Sequence, residues 1–262
     1  MRYGVIADVH ANLHALDATL AFLSTQYVDR YLCAGDLVGY GPLPNESVRR
    51  VLDLGGPCVA GNHDLIALGR LGDERCIPLA RASLRWTRGV LDPPVRAILA
   101  GLPLTDRPGG LVLCHGWLED PQQYVVGEQE AVARLREAPD ADIVIVGHTH
   151  RPMAVAARTG TLLRGASGTV RLPPGEPVLL NPGAVGQSRS ADPNARAMVL
   201  DTDARTAAFH ELPYDVAACR EALCERGLPP NACHLPPSRW RDAASAVGHR
   251  VRRMRTAAGG RG

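Results

Sequence analysis

The sequence predicts an α/β protein, and three observations lead there. Short apolar runs alternate with amphipathic stretches through residues 1–150. Those runs are continuous rather than alternating with polar residues, as strands buried on both faces are. After Met153 the helical stretches give way to short strand-like runs separated by turns, the pattern of antiparallel pairing.

Each element has its own local reason. Arg2–Ala7 is a β-rich run and predicts the first strand. Leu13, Leu16, Leu20 and Leu23 fall on one helical face, so Asn12–Ser24 predicts a helix with Asn12 as its N-cap. Tyr31–Ala34 predicts a second strand. Pro44-Asn45 opens a helix running through Leu54, which Gly55-Gly56 stops. Pro57–Ala60 predicts a third strand, and residues 65–103 predict helix broken at Pro78 and Pro93-Pro94. Leu111–Cys114 predicts a fourth strand, Glu128–Glu137 a helix, and Asp142–Val146 a fifth strand. Further strands are expected at Met153–Arg158, Thr161–Arg164, Val178–Asn181, Arg196–Asp201 and Arg205–His210, with Asp201–Arg205 as a tight hairpin. Tyr214–Arg226 predicts a last helix, stopped by Gly227.

At 262 residues the chain approaches the upper size for one hydrophobic core, and no internal repeat divides it. The expected organisation is one domain over residues 1–236 and an arginine-rich, weakly ordered tail over 237–262. Residues 239–262 hold seven arginines against Asp242 alone. The tail would suit nucleic acid or polyphosphate, but a solvated, frayed terminus or a weak helix over 240–256 is the commoner outcome. Every basic residue is arginine, which excludes Schiff-base and phosphate-loop lysine chemistry. No apolar run approaches the ~20 residues of a membrane span, and no signal-peptide pattern opens the chain. Seven cysteines without a Cys-x-x-Cys pair read as reduced thiols, buried at Cys33, Cys58 and Cys114, and point to a cytoplasmic protein.

Five motifs follow the five predicted strands in order: Asp8-Val9-His10, Gly35-Asp36, Gly61-Asn62-His63-Asp64, His115-Gly116 and Gly147-His148-Thr149-His150. Ligands of open α/β sheets bind beyond the carboxyl ends of strands, so the expectation is five strand ends meeting at one edge of one sheet. Carboxylate together with imidazole suits borderline divalent cations rather than Ca²⁺. A lone carboxylate at a central strand end, Asp36, is placed to bridge two of them. Two cations ~3.5–4 Å apart can share a hydroxide and clamp a phosphoryl group.

The motif order resembles the calcineurin-like metallophosphoesterase family, with every ligand position present. The stretches Gly35–Pro42, Arg85–Arg88 and Asn181–Gln187 resemble its small prokaryotic phosphodiesterase branch, which includes diadenosine tetraphosphatases and protein phosphatases. The resemblance implies a four-layer α/β/β/α sandwich with mixed sheets. It implies that Asp8, His10 and His150 hold one metal, that Asn62, His115 and His148 hold a second, and that Asp36 bridges them. It implies that His63 is the catalytic histidine near the leaving-group oxygen, with Asp64 orienting it or coupling to its charge. Mn²⁺ is the expected cofactor ion, with Fe, Zn²⁺, Ni²⁺ or Mg²⁺ also suited.

The function expected is therefore a two-metal phosphoesterase acting on phosphodiesters or small nucleotides through a metal-bridging hydroxide. The alternatives are a Ser/Thr-type protein or monoester phosphatase, a noncatalytic binding scaffold, and a nuclease guided by the tail. A small phosphoester or nucleotide is the expected partner, with no membrane. Specificity is expected in the loops around residues 65–110 and 115–128. Tyr40 and Asn45 read first as turn and capping residues, Asn181-Pro182-Gly183 as a tight turn, Arg189 as solvated or phosphate-facing, and Trp86 as packing. His14 reads as solvent-facing or capping, and His210, His234 and His249 as surface residues.

Overall fold

The computed structural model describes residues 1–138 and 140–237. In chain order these form β1 (Arg2–Ile6), α1 (Leu13–Ser24), β2 (Arg30–Cys33), α2 (Pro44–Leu52), α3 (Asn62–Ala67), α4 (Pro78–Val90) and α5 (Pro93–Gly101). Then come β3 (Thr105–Asp106), β4 (Val112–Cys114), α6 (Gly127–Leu135), β5 (Ile143–Ile145), β6 (Met153–Ala156) and β7 (Gly160–Thr161). The chain continues through β8 (Gly168–Arg171), β9 (Val178–Asn181), β10 (Ala195–Asp201), β11 (Thr206–Leu212) and α7 (Val216–Glu225).

The strands divide between two mixed sheets. The first has the order β2-β1-β10-β11-β8 and the second β3-β4-β5-β9-β6-β7. β1 and β2 are parallel, as are β4, β5 and β9, while β10 enters antiparallel beside β1 and pairs with β11 through the expected hairpin. Side chains alternate across each strand, so one strand feeds two apolar layers. Ile6 and Cys33 join the helices α1, α2, α4 and α7 on the outer face of the first sheet. Tyr3, Val5 and Leu32 meet Leu113, Ile143, Ile145 and Leu180 between the sheets. Val112, Val144 and Leu179 pack against Ala131 and Leu135 of α6 on the far side. Three apolar layers thus separate four structural ones, the α/β/β/α sandwich.

Local signals place most elements. Asn12 caps α1 by accepting the Ala15 N–H at 3.1 Å. Asp215 does the same for α7 through Ala218 N–H at 2.9 Å. Prolines open α2, α4 and α5, where the missing N–H costs nothing. Trp86 packs on the helical side of the first sheet.

Several expectations need correction. The motif-bearing strands do not share one sheet: β1 and β2 belong to the first sheet, β4 and β5 to the second. A buried strand looks the same from its sequence whichever sheet holds it. Pro57–Ala60 forms only an isolated bridge, Cys58 to Cys33, because just one pair of residues stays in register. The helix expected from residue 65 begins at Asn62, so a motif supplies its first turn. Val178–Asn181 is parallel to β5 although antiparallel to β6. Only Gly160–Thr161 of the Thr161–Arg164 region pairs, and β3 and β8 carried too few apolar residues to be anticipated. His14, His210 and His234 are half-buried rather than exposed. His210 packs its ring 4.7 Å from Phe22, and His234 Nε2 lies 3.0 Å from Ser190 O. All seven cysteines are free, with Cys33 and Cys114 buried and Cys58 half-buried. Among the described residues no helix is long and apolar enough to cross a membrane. His249 and the arginine-rich tail lie outside the described residues.

Candidate metal centre

Both sheets present carboxyl-terminal strand ends at the same edge of the sandwich. Asp8 and His10 follow β1, Asp36 follows β2, and Asn62 and His63 open α3. From the second sheet His115 follows β4, and His148 and His150 follow β5. The loop after β9 closes the edge by laying its backbone on the turn just past β1, with Val185 N–H on Ala7 O at 3.0 Å and Gly186 N–H on Asp8 O at 2.9 Å. His148 N–H reaches across the sandwich to the Asp8 carboxylate at 3.1 and 3.2 Å.

The backbone is contorted to do this. Asp8, His10, Asp36, His148 and His150 all adopt left-handed conformations, with φ between 48° and 67°. Such values are uncommon outside glycine and cluster where function holds the chain in place. Crowding also dictates a glycine: a Cβ on Gly61 would collide with Oδ1 of Asp36.

The hydrogen-bond pattern points to cations. His10 Nδ1 donates to Val38 O at 3.1 Å and His150 Nδ1 to Gln187 O at 2.7 Å, because a carbonyl can only accept. Both rings therefore face each other through unprotonated Nε2 atoms, 3.0 Å apart. Asp8 Oδ1 sits 3.3 Å from the same His150 nitrogen. Lone pairs packed this closely need a positive charge between them. Burial drives both imidazoles well below their ordinary range, so protons are unsuited to the task.

A second group repeats the pattern. His115 Nδ1 donates to Ala34 O at 2.7 Å, which turns Nε2 toward Asn62 Oδ1 at 3.1 Å and Asp36 Oδ2 at 3.2 Å. His148 Nε2 is buried without a hydrogen bond. Burial opposes the charge on His115, but Asp36 overcomes it and raises the ring to about 9. Burial likewise opposes ionisation of Asp36, and His115, His63 and His10 outweigh it, holding the carboxyl well below its usual range. Without a cation the cluster balances itself by protonating His115; a cation at Asn62, His115 and His148 would take that proton's place. Asp36 Oδ2 also lies 3.7 Å from His10 Nε2, so this one carboxylate touches both groups. The structure thus brings together all seven predicted ligands, and the donor set fits two divalent cations.

His63 lies beside the cluster. Its backbone N–H donates to Asp36 Oδ1 at 2.8 Å, and its buried Nδ1 has no hydrogen bond. Ring nitrogens of His63 and His10 and an oxygen of Asp36 all fall within 4.8 Å of one another. Burial lowers the His63 ring to about 4. Asp64 is placed differently from the arrangement the resemblance implied. Its Oδ1 accepts from Leu37 and Val38 N–H and its Oδ2 from Gly61 N–H, so it ties the second and third motifs together. Burial raises its carboxyl to about 7.

Around this centre lie residues with weaker sequence signals. Tyr40, also left-handed, stacks on His63 at 4.9 Å and meets His10 edge-on at 4.8 Å. Tyr124, in one of the expected specificity loops, covers His148 at 3.9 Å; no motif marked it. Asn45 bonds Val90 O and Asp92 N–H, away from the cluster. Asn181 is the expected turn residue, accepting from Gly183 N–H, and its amide also bonds Gly147 O and Thr149 Oγ1, which steadies the His148 loop. Arg189 is buried rather than solvated.

Fold and cluster together define a metallophosphoesterase-type sandwich. The chain belongs to the calcineurin-like phosphoesterase superfamily, whose domain model matches residues 1–205. It is similar to a metallophosphoesterase of known structure from Sphaerobacter thermophilus, with 32% identity, a TM-score of 0.77, and coverage of 93% of this chain and all of that one. A Methanocaldococcus jannaschii protein, MJ0912, is 28% identical over 229 residues, 86% of this chain and 93% of that one. A symmetrical bis(5'-nucleosyl)-tetraphosphatase from Aromatoleum aromaticum is 36% identical over 120 residues, 40% of this chain and 41% of that enzyme.

Proposed function

We propose that the protein hydrolyses phosphodiesters or small nucleotides with the help of two divalent cations, Mn²⁺ being the first choice. The observation that carries this reading is the donor set at one sandwich edge: the opposed lone pairs of His10 and His150, and the buried His115 nitrogen held between Asn62 and Asp36, whose proton a cation would replace. Asp8, His10 and His150 would hold one cation, Asn62, His115 and His148 the other, and Asp36 both. Bound there, two cations would polarise phosphoryl oxygens and make water acidic enough to attack near neutral pH.

The chain's own groups do the rest. Carbonyls of Val38, Ala34 and Gln187 fix the histidine tautomers, so the coordinating nitrogens point inward before any cation arrives. With its pKa lowered by burial to about 4, His63 is neutral near pH 7 and keeps one N–H. With Nδ1 buried and walled by Gly39, the proton shared with the leaving oxygen sits on Nε2. Tyr40 stacked on that ring limits its rotation, and Asp64 holds the loops that aim it. The partial similarity to a nucleoside tetraphosphatase supports nucleotides over phosphoproteins.

The test is His63→Ala. Turnover should fall by ~10²–10⁴ while both cations remain, measured by elemental analysis of the purified variant. Unchanged turnover would remove His63 from the reaction. A panel of bis-para-nitrophenyl phosphate, the monoester, diadenosine tetraphosphate and a phosphopeptide, run with several metals, sorts substrate class.

A further inference from the structure

Three of the clustered imidazoles are fixed in one way and His148 is not. His10, His115 and His150 each donate Nδ1–H to a backbone carbonyl, of Val38, Ala34 and Gln187. Such a bond sets the tautomer and stops the ring from turning. Among the described residues no carbonyl does this for His148, and its buried Nε2 has no hydrogen bond. Yet a His148 ring nitrogen lies within 4.8 Å of one on His115 and of an Asp36 oxygen, so the ring belongs to the cluster. Its main chain is well held. The His148 N–H bonds the Asp8 carboxylate, and the Asn181 amide bonds Gly147 O and Thr149 Oγ1 on either side. What those bonds leave open is the side chain, whose ring torsion is intrinsically broad.

A ring from another loop meets that need. Tyr124 lies with its centroid 3.9 Å from that of His148 and its plane tilted by 31°, the shortest ring-to-ring separation among the described residues. His115 meets the same imidazole at 5.0 Å and 59°, too far and too tilted to fix its plane. Tyr124 is itself anchored independently of the cluster. Gln123 Nε2 donates to Tyr124 O and to Glu130 Oε1, both at 2.9 Å, and Val126 N–H donates to Glu130 Oε2 at 3.0 Å. These bonds tie the tyrosine's stretch of chain to α6. Its hydroxyl accepts a hydrogen bond from the Arg189 guanidinium of the loop after β9. A half-buried side chain thus spans from α6 to the opposite rim and lies across the imidazole.

We propose that Tyr124 is a positioning residue: its ring face holds the plane of His148, the part that backbone carbonyls play for His10, His115 and His150. The two cation positions then differ in kind. The imidazoles at Asp8, His10 and His150 are locked by main chain, whereas the position of Asn62, His115 and His148 depends on one side chain of a surface loop. The inference rests on the two-cation reading above and adds to it the contact that sets the affinity of the second position.

Calorimetric titration of the metal-stripped protein with Mn²⁺, followed by elemental analysis, tests this in Tyr124→Ala and Tyr124→Phe. Tyr124→Ala should weaken one of the two Mn²⁺ ions by about tenfold or more and leave the other within about twofold. Tyr124→Phe should keep both affinities, because the ring remains and the Glu130 bonds still hold the chain beneath it. Equal weakening of both ions, no weakening, or a Tyr124→Phe protein that behaves like Tyr124→Ala overturns the positioning role. A second measurement needs no metal. Carbon relaxation of the histidine rings in the stripped protein, with His148 assigned through His148→Gln, should show His148 as ordered as His10, His115 and His150 in the wild type and in Tyr124→Phe. In Tyr124→Ala it alone should gain motion, and a His148 ring as rigid as before overturns the role by itself. A wild type that takes up fewer than two Mn²⁺ ions sinks the two-cation reading instead, and the relaxation measurement still decides what Tyr124 does.

Discussion

The two sheet edges that meet at the centre bring unlike chemistry. The first, around β1, β2 and α3, supplies both carboxylates of the cluster, Asp8 and Asp36, with His10, Asn62 and His63. The second, around β4, β5 and the loop after β9, supplies only imidazoles, His115, His148 and His150, and a cation of its own, Arg189. Neither edge alone would complete the coordination proposed for either cation. Each group takes members from both edges: His10 faces His150, and Asn62 and Asp36 face His115. The centre is therefore a property of the seam, and the hydrogen bonds that sew it matter as much as the ligands. His148 N–H on Asp8, His115 Nδ1 on Ala34 O and Gly186 N–H on Asp8 O are those stitches. The lesson is a division of labour: on the proposed reading the acidic edge would attract cations, and the imidazole edge would fix where they stop.

The largest effect should come from the one group that serves both sides. Asp36→Asn is expected to lose both cations and lower turnover by about 10³ or more, since several kcal/mol of charge stabilisation go with it. Metal analysis together with kinetics checks this, and retention of one full cation would mean the edges act more independently than the seam suggests.

A smaller effect is expected from loosening the imidazole edge alone. Asn181→Ala removes the bonds to Gly147 O, Thr149 Oγ1 and Gly183 N–H, leaving buried partners unsatisfied at a cost of about 1–3 kcal/mol. Urea unfolding should register the loss, and metal affinity should weaken mainly at the cation held by His148. An unaltered denaturation midpoint would show that the loop is held by other contacts.

The gentlest probe is pH, applied to the metal-stripped protein. Burial holds His10, His148 and His150 low, and His63 at about 4. For groups depressed this way the unfolded chain takes protons first, so their stability is present above about pH 6.5 and is lost as pH falls. Asp8 and Asp64, raised by burial to about 7, act in the opposite sense but are fewer. His115, raised to about 9 by Asp36 against burial, contributes below that value and loses it as pH rises through it. The stripped protein should thus melt highest near neutrality and fall off on both limbs. In the loaded protein the alkaline limb should flatten, because a cation replaces the His115 proton. Melting temperatures from about pH 5 to pH 9 decide this, and a stripped protein that gains stability toward acid contradicts the assignment.

Much of this was legible in the chain. The motif residues announce themselves because chemistry demands particular side chains at strand ends, and helix caps such as Asn12 and breakers such as Pro78 act locally. The misread elements are those whose identity depends on partners. Pro57–Ala60 reads like a strand but finds one bridging neighbour. β8 has almost no apolar signal and exists because β11 offers it an edge. Tyr124 gave no sign of its role, since what matters in it is the ring face it lays on His148 from another loop.

By itself, then, the amino-acid sequence determined the candidate ligand residues, the α/β class and the order in which the turns that bear them arrive, because those follow from side-chain chemistry and from periodicity within a few residues. Only the tertiary structure decided that two sheets rather than one supply the candidate ligands, that the Nε2 atoms of His10 and His150 face one another as bare lone pairs, and that Gln187 and Arg189 stand buried nearby. Those features arise from packing across the sandwich, where residues more than a hundred positions apart fix each other's backbone conformation, tautomer and charge.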